Sequence, residues 1–252
     1  MRFFIELSYN GKHFFGWQIQ KKVNTVEEKL EYCLSKLLKT SINIVGASRT
    51  DKGVHAKQMF AHFDYEKKIK NDFVNRLNVF LPNSIKVFNI FPVKKNFHAR
   101  FNAIKRTYKY YLTREKNPFN QDFSWYCFYP LNIQKMNEAS KKIMEYQDFS
   151  SFCKKKRTNK NQSVKENNIC QIYHAHWYEY NNVLCFTIEA NRFLRSMVRS
   201  IIGTLIDVGR NKISINEFIK IIESQNSNFC KFIVPACGLF LTQILYPEDI
   251  FL

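Results

Sequence analysis

Phe3, Ile5, Leu7 and Tyr9 alternate with Phe4, Glu6 and Ser8, the period-two pattern of a strand, and Asn10-Gly11 supplies a turn behind it. The period changes at Thr25. Thr25-Val26-Glu27-Glu28 fits a capping box, after which Val26, Leu30, Cys33, Leu34, Leu37 and Leu38 share one helical face. Ile42 to Val45 and Gln58 to Phe63 read as strands on either side of a polar loop. Phe73, Val74 and Leu77 mark a shorter helix, ended by Leu81-Pro82-Asn83, and Ile85 to Phe91 reads as a strand.

The second half repeats this order without repeating the sequence. Lys105 to Thr113 is a strand pattern, and Ile133 to Tyr146 a helix carrying Met136, Ile143 and Met144. Strands follow at Ile169 to Tyr180 and Val183 to Ala190, joined by an Asn181-Asn182 turn. Phe193 to Val208 reads as a strongly apolar helix, Ser214-Ile215-Asn216-Glu217 caps another, and Leu239 to Leu245 closes with a strand. Two β-α-β-β-α-β runs predict an α+β fold of two tandem ferredoxin-like (RRM-like) lobes with mainly antiparallel sheets. Residues 1–103 form the first lobe, with the polar loop. Residues 104–252 form the second, with a tyrosine-rich strand, a basic loop and an arginine-bearing helix.

At 252 residues the chain can bury a sizeable core, and 45% hydrophobic residues with 24 Phe and 13 Tyr supply one. Charge adds something the pattern does not. Thirty-nine Lys+Arg against 21 Asp+Glu leave +18, a field that attracts phosphate-rich partners. No uninterrupted apolar run approaches the roughly 20 residues that span a bilayer. Glu6 follows Met1-Arg2-Phe3-Phe4-Ile5 too early for a secretory signal. Seven scattered cysteines without a C-x-x-C pair indicate neither a disulfide framework nor a zinc ribbon, so reduced, mostly buried thiols are expected. A cytoplasmic setting, or an organelle of bacterial ancestry, follows.

The polar loop runs Gly46-Ala47-Ser48-Arg49-Thr50-Asp51-Lys52-Gly53-Val54-His55-Ala56. It holds one carboxylate, Asp51, with the Arg49 guanidinium two residues upstream, where it favours the charged carboxylate when a substrate covers the pair. Asp51-Lys52-Gly53 faintly resembles an aspartyl-phosphate loop, but no D-x-D accompanies it to hold Mg²⁺. In Lys105-Arg106-Thr107-Tyr108-Lys109-Tyr110-Tyr111 the alternation puts Arg106, Tyr108 and Tyr110 on one strand face, suited to base stacking with phosphate anchoring or to core packing. Helical spacing would set Arg192, Arg195 and Arg199 in one stripe for phosphate or carboxylate contact. Arg199 is the deepest of the three, and Gly203 lets another backbone approach. Lys154 to Lys165 carries six cations and no carboxylate, either a phosphate-gripping arm or solvated charge. His174-Ala175-His176 puts two imidazoles on one strand face but lacks a third ligand in sequence, so no metal site is assigned; His55 and His98 lack an orienting carboxylate and are not assigned a catalytic role.

These segments together resemble the tRNA pseudouridine synthase A (TruA) family. Tyr9-Asn10-Gly11 with Phe15-Gly16-Trp17-Gln18-Ile19-Gln20 is similar to its opening segment, and Gly46 to Ala56 to its catalytic loop. Phe97-His98-Ala99-Arg100-Phe101 with Arg106-Thr107-Tyr108-Lys109-Tyr110 is similar to its central motif. Asp148-Phe149-Ser150-Ser151-Phe152, Met197-Val198-Arg199 with Gly203, and Gly238-Leu239 follow in the same order. Ser48 stands where the family commonly has glycine and Lys52 where it commonly has alanine; neither removes a reacting group. The resemblance implies a cleft between the lobes in which uridines at tRNA positions 38 to 40 become pseudouridine. Reactant and product are isomers, so no cofactor or metal is required. It implies that Asp51 acts at the ribose, supported by Arg49, with Arg199 pairing with Asp51 from the other lobe. Tyr108 would stack on the uracil, while Arg192 and Arg195 would hold the RNA. It implies a homodimer with tRNA as partner and no membrane. A noncatalytic RNA-binding or chaperone protein on the same fold is the alternative.

Overall fold

The computed structural model describes residues 1–154, 167–230 and 232–250. It is a mixed α+β protein whose described residues carry five α-helices and mainly antiparallel strand pairs. Two compact units emerge, one of Met1–Thr107 with Phe240–Leu252, the other of Tyr108–Leu239.

In the first unit, β1 (Arg2–Tyr9) lies between β3 (His55–Asp64) and β4 (Ile85–Val93), antiparallel to both. The other edge of β3 carries β2 (Val45–Gly46) at Val45↔His62. At His55↔Phe240 it carries β9 (Leu239–Leu245), which runs parallel. Helix α1 (Val26–Leu38) starts where Thr25 Oγ1 accepts from the Glu28 N–H, with Glu27 and Glu28 placed well for the helix dipole. Helix α2 (Phe73–Phe80) ends ahead of Pro82. The predicted strand from Ile42 is shorter than its apolar pattern. Ile42 N–H donates to Ser35 Oγ and Ile44 N–H to Glu31 Oε1, so side chains of α1 take the bonds a ladder would use.

In the second unit, β5 (Lys105–Thr113) is followed by β8 (Val183–Ala190) and then β7 (Ile172–Tyr180), with the short β6 (Trp125–Tyr126) parallel to β5. Asn181 and Asn182 both take left-handed φ in the β7–β8 hairpin, as their turn chemistry requires. Helix α3 (Ile133–Ile143) is capped by Asn132, and α5 (Ile215–Glu223) by the reciprocal Ser214–Glu217 box. Trp177, Phe186, Phe149, Phe152 and Phe218 fill the core.

The border strands are closed the same way in each unit. Asn78 of α2 bonds both the N–H and the carbonyl of Val87 on β4, and Asn137 of α3 does so for Trp177 on β7. Each amide satisfies main-chain groups that an edge strand would otherwise offer to another chain.

Helix α4 (Met197–Gly209) corrects the sequence reading. It starts at Met197 rather than Phe193, because Ser196 sits at φ 59°, a left-handed conformation that stops the helical ladder. Arg192 and Arg195 therefore precede the helix, and the three arginines do not form a stripe. Gly203 behaves as expected: a Cβ there would stand 2.1 Å from the Phe232 carbonyl oxygen. None of the seven cysteines is in a disulfide and five are buried; burial pushes the Cys170 and Cys230 thiols up to about 11. Among the described residues no helix is long and apolar enough to cross a membrane.

Candidate active site

The Asp51 loop occupies the turn between β2 and β3, and its main chain is held at every few residues. Ala47 N–H donates to Phe60 O at 2.8 Å, which fixes the start of the loop to β3. Thr50 is buried between Asp51 and Arg49; its Oγ1 lies 2.8 Å from Tyr9 OH, and its carbonyl accepts from Trp17 N–H at 3.2 Å. Gly53 N–H reaches Phe14 O at 3.2 Å. Asp51 O accepts from Val54 N–H at 3.1 Å, closing a turn in which Gly53 has φ 78°, the position where a type II turn demands glycine.

The segment 9–20 therefore acts as a clamp. Gly16 has φ 91°, and a Cβ on it would lie 2.4 Å from Thr50 O. A Cβ on Gly46 would meet the Trp17 ring at 2.4 Å, so the indole abuts the other end of the loop. Fixing Thr50 inward leaves its neighbours outward: Arg49 is exposed and Asp51 half-buried. A carboxylate on a loop immobilised by the segment 9–20 on one side and by β3 on the other is preorganised, since substrate binding need not order it. Lys52, one of the two departures from the family pattern, sets its Nζ 3.9 Å from the centre of the Phe15 ring, a contact outside the turn itself.

Arg106 has a different role from the phosphate anchor its strand pattern indicates. It is buried, and its guanidinium donates to the carbonyls of Ala47 (3.1 Å), Arg100 (2.6 Å) and Ala103 (3.3 Å). It joins the Asp51 loop to the segment 98–103. The sequence marked Arg106 and Trp17 only through their motifs. An arginine inside an alternating buried run was the available signal that it pairs with backbone.

In the second unit, Tyr108 is buried with its ring edge-on to Phe193 at 5.2 Å. Tyr110 is a core residue, donating its hydroxyl to Pro235 O at 3.0 Å, with burial holding the phenol well above its ordinary range. Arg199, half-buried on α4, donates Nε–H to Val234 O at 2.8 Å. Arg192 is half-buried close to Cys170, and Arg195 is exposed, its carbonyl accepting from Lys154 N–H at 3.2 Å. Apart from Lys154, the basic segment through Lys165 lies outside the described residues. The His174 and His176 rings stand 6.2 Å apart, and no group of three or more His, Cys, Asp or Glu able to hold a metal occurs among the described residues.

The chain is similar to known proteins over nearly its whole length. The model of a family described as tRNA pseudouridine synthase matches residues 7–102 and 145–247. The tRNA pseudouridine synthase A of Azobacteroides pseudotrichonymphae genomovar. CFP2 is 51% identical over 99% of this chain and 98% of its own length. That of Parabacteroides distasonis is 46% identical over 99% and 98%. The Staphylococcus aureus (strain MRSA252) protein of the same name is 31% identical over 99% and 93%. With the match running through the clamp, the Asp51 loop and α4 alike, the chain belongs to the tRNA pseudouridine synthase family.

Proposed function

We propose that this chain isomerises uridine to pseudouridine at positions 38 to 40 of the tRNA anticodon arm, with Asp51 as the residue that acts at the ribose. The observation that carries the reading is the immobilised Asp51 loop in a chain of this family, with Asp51 half-buried and Arg49 exposed beside it. In the reaction the bond from uracil N1 to ribose C1′ breaks, the base turns, and C5 joins C1′. The C5 proton is lost and N1 gains one, so atoms balance without a redox partner. Asp51 either attacks C1′ or removes a ribose proton to give a glycal-like intermediate. The target nucleoside leaves its stack, at a cost of a few kcal/mol that phosphate contacts offset.

Tyr108 is assigned to stacking on the uracil, Arg49 and Arg199 to supporting the site, and Arg192 and Arg195 to the RNA backbone. The order β4-β1-β3 with β2 antiparallel on the far side of β3 supports a ferredoxin-like first lobe. The order β5-β8-β7 supports its counterpart. The working form in this reading is a homodimer acting on tRNA in the cytoplasm.

The test is pseudouridine mapping of unmodified tRNA incubated with purified protein and no added cofactor. Product at positions 38 to 40 is expected. Asp51→Asn should abolish it while tRNA affinity stays within about threefold, because one carboxylate contributes little to binding governed by phosphates. RNA bound but chemically unchanged by the unaltered protein would make it a binding protein instead.

A further inference from the structure

One charged group outside the loop is tied into the clamp through both its main chain and its side chain. Glu27, in the first turn of α1, accepts from the Trp17 indole N–H at Oε1 (3.2 Å) and from the Ile19 N–H at Oε2 (2.8 Å). Its own N–H donates to the Trp17 carbonyl at 3.0 Å, next to a bond from Val26 N–H to the Gly16 carbonyl at 3.2 Å. Trp17 in turn gives its N–H to Thr50, immediately before Asp51, and sets its ring against Gly46. The connection from Glu27 to the loop is thus two hydrogen bonds long.

We infer that Glu27 is a positioning residue for the Asp51 loop, fixing Trp17 and Ile19 with its two oxygens. Burial raises the Glu27 pKa, opposed by the hydrogen bonds from Ile19 and Trp17 and by the charge of Arg49. The two oxygens and the main-chain N–H together hold the segment that carries Trp17 against the loop. The inference rests on the reading of Asp51 as the reacting carboxylate, and only its rate readout depends on that.

The experiment compares Glu27→Ala, Glu27→Gln and Ser214→Ala in the full chain, by hydrogen exchange and by single-turnover pseudouridine formation. Glu27→Ala should speed exchange in the peptide covering 47–54 by about tenfold or more, since local opening no longer breaks the clamp's bonds. Turnover should fall by about 10- to 100-fold with tRNA affinity within about threefold, as displacing a reacting group does. Glu27→Gln keeps an accepting oxygen and should retain most of the exchange protection while losing turnover by a few fold. Ser214→Ala breaks the α5 capping box in the other unit and should lower Tm without changing loop exchange or rate. Loop exchange in Glu27→Ala equal to the unaltered protein overturns the inference, whatever the activity. So does a rate loss matched by Ser214→Ala at the same drop in Tm. Absence of product from the unaltered protein with the exchange result intact would overturn the functional reading alone.

Discussion

The main-chain N–H of Trp17 donates to the carbonyl of Thr50 at 3.2 Å, so the residue before Asp51 is held by the segment that leads into α1. The bond crosses the first unit from one loop to another. It makes the position of the carboxylate depend on residues more than thirty places earlier in the chain.

Gly16→Ala tests that dependence. The substitution meets two obstacles, φ of 91° and a Cβ 2.4 Å from Thr50 O. Backbone strain of this kind costs about 1–3 kcal/mol. A lowered Tm and a larger loss of turnover are expected, read by thermal unfolding and pseudouridine formation. Unchanged turnover would show that the loop tolerates displacement.

Arg106→Gln should remove at least two of three buried main-chain contacts. Each carbonyl left unsatisfied costs about 1–3 kcal/mol, so a loss of about 3 kcal/mol in urea unfolding is expected. Arg106→Lys should recover only part of it, because one ammonium cannot reach Ala47, Arg100 and Ala103 in the geometry of the planar fork. Full recovery by lysine would place the contribution in charge alone.

Stability should fall as the medium is acidified below pH 6.5. His62 is buried, accepts from Ala99 N–H at Nδ1, and stands 4.7 Å from the His98 ring. Burial, then the charges of Arg2 and His98, lower its pKa to about 4, and His98 is shifted the same way. Between about pH 6.5 and 4 the unfolded chain binds the proton that the folded chain refuses, so unfolding gains ground as pH drops. A loss on the order of 2 kcal/mol is expected across that window. His62→Asn, whose carbonyl can accept from Ala99, should flatten the profile; an unaltered slope in that variant would reject the assignment.

Neutralising Lys154, Lys155 and Lys156 should weaken tRNA binding and reduce the slope of log affinity against log salt by roughly 0.7–0.9 per lost phosphate contact. The measurement is a salt titration of tRNA binding. An unchanged slope would assign these lysines to solvent.

The match between pattern and element was closest where each residue answers to its near neighbours. The alternation from Lys105 to Thr113 is a strand with the same ends, Thr25 and Ser214 start their helices, and Asn181-Asn182 turns a hairpin. It failed where bonds from another element, or a single residue in an unfavoured backbone conformation, override the pattern. The run from Ile42 is apolar enough for a strand, yet Ser35 and Glu31 take its N–H groups. Phe193 to Ser196 continues an apolar helical pattern, yet Ser196 in the left-handed region ends it, which separates Arg192 and Arg195 from Arg199.

By itself the sequence determined the order of elements, the cationic surplus and the one loop in which Asp51 and Arg49 stand together. Those are properties of composition and of spacing over a few residues. Only the tertiary structure decided that Trp17, Tyr9 and Arg106 grip that loop, that β9 returns to pair with β3, and that Arg106 turns inward to carbonyls. Hydrogen bonds between segments far apart in the chain leave no periodic trace, because what satisfies a buried carbonyl is whichever donor the fold brings beside it.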